Sequence, residues 1–334
     1  MHIQDECSDK TCEAKPKENW KPKLNWPLVL FQIYLHTTAL AGLWFMIHFA
    51  QWKTIIYLVF LVSFGMFGLT AGAHRLWAHE TYKAAWPVRV FLMLMQTLSC
   101  QGTIYSWVLE HRIHHKHYGT DLDPFNYKRG FLYSQLTSHC VDSHPLRPQL
   151  EKEIDMTDIQ NDAVVMFQKK YYWLLMPIFS LLLVVNAPVE YWEESILVSV
   201  LMIGSLRVTI LLHALWLIPS SAIVWGLDPN NRKSEETILV FLVTKSLWPQ
   251  YHYVLPWDYQ CGEYGTYGQG CSTGFIRVLA AMRLAWGLTT ITQAGIRTGL
   301  ATAATTGKPV IKCLEEARTS TLIDEALGVE SKFY

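Results

Sequence analysis

Thr54–His79 reads TIIYLVFLVSFGMFGLTAGAHRLWAH, and this stretch decides the fold. Thr54 to Ala73 carries no charge and matches the roughly 20 residues that a helix needs to cross a bilayer. Two histidines and an arginine follow at once, as His74-Arg-Leu-Trp-Ala-His79. The stretch therefore predicts a membrane span whose mouth carries nitrogen ligands. His74 and His79 are five apart, about 140° around a continuous α-helix, so the helix is expected to end or bend inside the box.

Working outward, a second apolar run within Pro27 to Ala50 is separated from the first only by the residues around Gln51, Trp52 and Lys53, which predicts a transmembrane hairpin. Two more runs, from about Trp173 to Val189 and from about Ile196 to Ile218, are joined by a link holding Glu190, Glu193 and Glu194 and predict a second hairpin. Val88 to Val108 is apolar but broken by Gln96, Ser99, Gln101 and Gly102, so it is expected to be buried or to lie at the interface. The content of 51% hydrophobic residues, with 14 Trp, 16 Tyr and 14 Phe, agrees with this load of apolar helices.

Lys and Arg are distributed unevenly. The tail before the first span holds Lys10, Lys15, Lys17, Lys21 and Lys23, the middle segment is rich in both residues, and the hairpin tips carry only Lys53. The positive-inside rule then puts both termini and the middle segment in the cytosol. The polar start suggests an uncleaved signal-anchor and the endoplasmic reticulum membrane. Formal net charge is zero, and nothing points to a nucleic-acid partner. Seven cysteines without a C-x-x-C pair are expected as free thiols, with no zinc site.

The expected architecture is all-α and integral to the membrane: four transmembrane helices in two hairpins under a cytosolic helical cap. The divisions are a polar tail at 1–25, hairpin 1 at 26–73 and a cap with two histidine boxes and an interfacial helix at 74–171. Hairpin 2 at 172–218, a C-terminal cap at 219–306 and a polar tail at 307–334 complete the chain.

His111-Arg-Ile-His114-His115 forms the second box. Positions i, i+3 and i+4 share a helix face, so these three imidazoles are expected to converge on one point. Three crowded histidines repel one another when protonated and add little packing, which favours metal binding over chance. All-imidazole ligation points to iron, with zinc or copper as alternatives.

The order of spans, the two boxes, Thr120-Asp121-Leu122-Asp123-Pro124-Phe125-Asn126 and Pro256-Trp257-Asp258-Tyr259 together resemble the animal acyl-CoA desaturases (stearoyl-CoA desaturase-like), from roughly residue 19 to 308. The resemblance implies two irons held by three histidine boxes and O2-dependent formation of a double bond, of the Δ9 type, in a fatty acyl-CoA. It also implies cytochrome b5 as electron donor, membrane lipid around the chain, and homo- or hetero-oligomers with desaturases. Carried onto this chain, it gives His74, His79, His111, His114, His115 and His252 as metal ligands, and Trp107, Asp123 and Trp216 as substrate contacts.

The third box departs from the family pattern. Counted back from Pro256-Trp257-Asp258-Tyr259, the family's first and last histidine positions hold Pro249 and Tyr253, and only His252 remains. At the end of the fourth span, Pro219 and Ile223 occupy the positions of a family asparagine and histidine. Tyr253 can bind iron as a phenolate. His117 and His213 are too poorly aligned to replace the lost ligands and read as solvated or core histidines. Leu109, Asp142 and Ser143 stand where the family has cations suited to coenzyme A phosphates. Iron content of two, one or none is therefore open, and three readings remain. They are a desaturase with altered ligands, a catalytically impaired desaturase-like protein that binds acyl lipid or partner desaturases, and an enzyme working with one metal.

Overall fold

A computed structural model describes residues 20–224, 248–262 and 267–320, with side chains described except at 221–224, 248–250 and 319–320. Four helices have the length and apolarity to cross a membrane: α1 Trp26–His48, α2 Trp52–Ala78, α5 Ala163–Trp192 and α6 Ile196–Ser220. Their 23, 27, 30 and 25 residues exceed the roughly 20 needed to span the hydrocarbon core. The outward faces are apolar, with Phe31, Ile33, Leu40, Trp44 and Ile47 exposed on α1 and Trp173, Leu174, Leu182 and Leu183 on α5. Such surfaces are stable only against lipid, so the chain is an all-α, multi-pass membrane protein.

Between the hairpins lie α3 Trp86–Leu98 and α4 Ile104–Lys116; after them come α7 Trp248–Val254, α8 Cys271–Ala281 and α9 Gln293–Thr306. A two-residue strand pair, Lys83–Ala84 with Ala285–Trp286, stitches the C-terminal part to the cap, and a second, Thr289–Thr290 with Thr319–Ser320, closes the C-terminal part on itself. The apolar stretch from Val88 is thus two helices broken at Ser99–Thr103, with Val88, Leu92, Met93, Val108 and Ile113 in the core.

α2 does not stop at the membrane mouth. It continues through the first histidine box, and from Gly68 to Ala78 it is wound as a π-helix. In that winding the His79 N–H donates to the His74 carbonyl at 3.1 Å, five residues back. The helix ends at Ala78, inside the box as expected, and the five-residue hydrogen bonds of its last turn bring the two box histidines to the same side, with their rings 4.8 Å apart. Gly68 opens this segment because α3 crosses it there. A Cβ on Gly68 would lie 2.2 Å from the Gln96 nitrogen and 2.3 Å from the Met95 carbonyl carbon.

Buried polar groups fasten the layers. Arg75 is buried and donates to the Tyr259 carbonyl at 3.0 Å, the Thr273 hydroxyl at 3.0 Å and the Cys261 carbonyl at 2.6 Å, clamping the C-terminal lobe onto α2. Arg207, inside α6, donates to the carbonyls of Leu98, Ser180 and Ile203, which satisfies a cation at membrane depth. The hairpin tips meet where Glu194 accepts from the Gln51 N–H at 2.9 Å and the Thr54 hydroxyl at 2.5 Å. Cys100, Cys140, Cys261, Cys271 and Cys313 are free thiols.

Candidate metal centre

The end of α2, one face of α4 and the short helix α7 meet over the membrane mouth. α2 brings His74 and His79, α4 brings His111 and His115 one turn apart, and α7 brings His252. Ligand nitrogens of His74, His79, His111 and His252 all lie within 4.8 Å of one another. The Nε2 atoms of His79 and His111 are 2.7 Å apart, those of His74 and His252 3.2 Å, and those of His115 and His252 3.1 Å. The His115 ring also lies 4.6 Å from the rings of His79 and His111.

These spacings have a simple origin. Donors about 2.1 Å from one ion and at right angles to each other are about 3.0 Å apart, and opposite donors about 4.2 Å. Desolvation, then repulsion from neighbouring imidazoles, holds His79, His111, His115 and His252 well below the ordinary histidine range. Neutral rings with inward lone pairs fit a metal that accepts nitrogen ligands, iron among them.

His114 is not in this group. The three imidazoles of the second box were expected to converge, and only His111 and His115 do so. The His114 Nδ1 meets the Asp123 carboxylate at 2.7 Å and its Nε2 meets the Tyr253 hydroxyl at 2.7 Å. α4 ends at Lys116, and in the turn that follows Asp123 reaches back beneath the box. The Asp123 carboxylate also accepts the backbone N–H of Gly119 at 3.0 Å and of Phe125 at 2.9 Å. Tyr253 is stacked on Tyr118 with ring centroids 3.7 Å apart, and Tyr118 on Tyr127 at 4.9 Å. Tyr118 was not singled out from the sequence, yet it follows His114 by four residues, the spacing that makes side chains neighbours on a helix.

The remaining positions separate in the same way. Trp107 lies one turn before His111 and stacks on it at 5.0 Å, walling the cluster above an apolar group of Leu69, Ala73, Leu215 and Ile218. Trp216 stacks face to face on His139 at 4.1 Å, a partner the sequence reading did not identify. His213 bonds to His36 at 2.8 Å and accepts from Gln135 at 3.2 Å, and His117 faces Glu153 at 4.0 Å. Pro219 sits within α6 and brings no donor atom. The side chains of Ile223 and Pro249 lie outside the described residues. Asp142 and Ser143 border a small cleft of about 70 Å³ with Glu110, Asp121 and Arg147, and Asp142 accepts from the Asn25 side chain at 2.9 Å.

No protein-family model matches the chain. Among curated proteins it is 40% identical over 280 residues, 83% of this chain and 78% of the relative, to an acyl-CoA Δ9 desaturase of Acheta domesticus. It is 33% identical over 327 residues, 97% of this chain and 88% of the relative, to an acyl-CoA Δ12 desaturase of Tribolium castaneum. To an acyl-CoA Δ11 desaturase of Spodoptera littoralis it is 36% identical over 282 residues, 82% and 83% of the two chains. These similarities lend no support to the alternative of an impaired acyl-lipid binder.

Proposed function

The chain belongs to the membrane fatty acyl-CoA desaturases, and on that premise we propose that it is an iron-dependent oxidoreductase that forms a double bond in the acyl chain of a fatty acyl-CoA. The convergence of His74, His79, His111 and His252, with His115 against them, beside an apolar group carries this reading. Two hydrogens leave the acyl chain with two electrons; O2 takes these together with two electrons from a reduced donor, cytochrome b5 in the family, and two protons from solvent, and leaves as two waters. Bound iron supplies the oxidising power to cleave an unactivated C–H bond, which no side chain possesses.

The chain's own residues bind, orient and exclude. His74, His79, His111, His115 and His252 hold the ion as neutral ligands. The Trp107 ring and the apolar group beneath it keep water from the reacting carbons, and Trp216 on His139 offers a flat apolar wall further along α6. Arg75 acts through position: its three hydrogen bonds hold the lobe that presents His252. Leu109, Asp142 and Ser143 supply no cations for coenzyme A phosphates, so the thioester's headgroup is held less tightly than its acyl chain. We place the protein in the endoplasmic reticulum membrane with both termini and the cap in the cytosol, in contact with lipid and able to pair with itself or other desaturases.

Expression in yeast lacking its own desaturase tests the reading. New unsaturated acyl chains in total lipid are expected, and their double-bond position is read from the same sample. Folded, iron-loaded protein that leaves the acyl profile unchanged would overturn it.

A further inference from the structure

His252 and Tyr253 are adjacent on α7 and therefore face directions about 100° apart. His252 turns into the imidazole cluster, while Tyr253 turns to His114. The His114 Nδ1 lies 2.7 Å from the Asp123 carboxylate. Its Nε2 lies 2.7 Å from the Tyr253 hydroxyl, so both ring nitrogens are engaged. Nothing on His114 is left over for a metal. Its side chain is 4% exposed and that of Asp123 is fully buried, so this arrangement is built into the interior rather than chosen by solvent. The Tyr253 ring, stacked on Tyr118, takes up the space beside His114. Of the positions where the family carries further donors, Pro219 has none to offer.

We infer that this chain holds one metal ion, in the ring of His74, His79, His111, His115 and His252, and that an Asp123–His114–Tyr253 hydrogen-bonded chain stands in place of a second. The inference deepens the iron reading of the site and departs from the two irons that the family resemblance implies. It makes His114 and Tyr253 a closed scaffold beside the site and not ligands in it.

The test is a metal count on full-length protein expressed with iron and purified in detergent, by mass spectrometry against amino-acid analysis. About one iron per chain is expected. His114→Ala and Tyr253→Phe should each retain about one, whereas His79→Ala and His252→Ala should lose at least tenfold in metal affinity. Paramagnetic resonance of the oxidised protein should show an isolated ferric ion rather than a coupled pair, and it does not depend on any variant folding.

Two irons per chain, no iron in folded protein, or a tenfold loss in Tyr253→Phe would each overturn the inference. So would a phenolate-to-ferric absorption band that vanishes in Tyr253→Phe. The count and the reaction fail separately. One iron without an unsaturated product upholds this inference and rejects the proposed reaction, and two irons with product does the reverse.

Discussion

His252 and Tyr253 are neighbours in sequence, and they sit in two regions of opposite character. Around His252 five imidazoles face inward, and desolvation together with the neighbouring rings holds His79, His111, His115 and His252 well below the ordinary histidine range. Around Tyr253 every polar group is already paired: hydroxyl to imidazole, imidazole to carboxylate, carboxylate to backbone N–H. The first region gathers ring nitrogens of four imidazoles within 4.8 Å of one another, a set that one cation can share. The second is closed and calls for nothing. Two adjacent residues of one helix thus face a site on one side and a scaffold on the other.

The comparison is broken most forcefully in the first region. Removing either His79 or His252 is expected to abolish product and iron together, because a five-ligand set loses both affinity and geometry. Product at wild-type level from either variant, measured by gas chromatography of cell lipids, would refute the grouping.

Next come the supports that bring the regions together. Arg75→Leu leaves two carbonyls and a hydroxyl unpaired in the interior and is expected to cost about 3 kcal/mol or more, seen as a lower unfolding temperature in detergent. Gly68→Ala forces α3 away from the π-wound segment and is expected to cost about 1–3 kcal/mol. Because that segment aligns His74 with His79, the second variant should also weaken iron binding. A stable Gly68→Ala with unaltered iron content would show that the π winding is incidental to the site.

The closed region is expected to respond more mildly. Tyr253→Phe leaves the His114 Nε2 without its donor and should cost about 1–2 kcal/mol, with the thermal transition shifted down and iron retained.

The smallest effect concerns acid. His139, stacked on Trp216 outside both regions, has its pKa lowered to about 3 by burial and, secondarily, by His213. The unfolded chain takes up this proton at about pH 6.5 and the folded chain only near 3, so stability is lost as pH falls through that window. At about pH 5.5 the loss amounts to roughly 1 kcal/mol. His139→Phe keeps the stack and should remove this part of the acid sensitivity. If its unfolding temperature falls with pH as steeply as that of the wild type, the sensitivity belongs to other groups, the metal-facing imidazoles first among them.

Much of this was legible in the sequence for local reasons. An apolar run long enough to span hydrocarbon has few alternatives, and Thr54–Ala73 and Ile196–Ile218, the latter despite Arg207, lie within helices that the structure shows. Boundaries were less legible: α2 runs on to Ala78 and α5 begins at Ala163 within the cap. Where a helix leaves lipid depends on what packs beside it, and no residue in the run signals that. The pairing of Arg207 with three carbonyls was foreseeable only as a need, since its partners come from α3, α5 and its own helix.

By itself the sequence determined the number of spans, the presence of two histidine boxes and the poverty of donors in the third, because hydrophobic length and side-chain chemistry are properties of residues taken singly or a few apart. Only the tertiary structure decided which imidazoles face one another. His114 shares the helical face of His111 and His115, yet Asp123 and Tyr253, nine and 139 residues away, capture both of its nitrogens. Spacing along a helix sets where a side chain can point. Which of the available partners it meets is settled by elements that fold in from elsewhere.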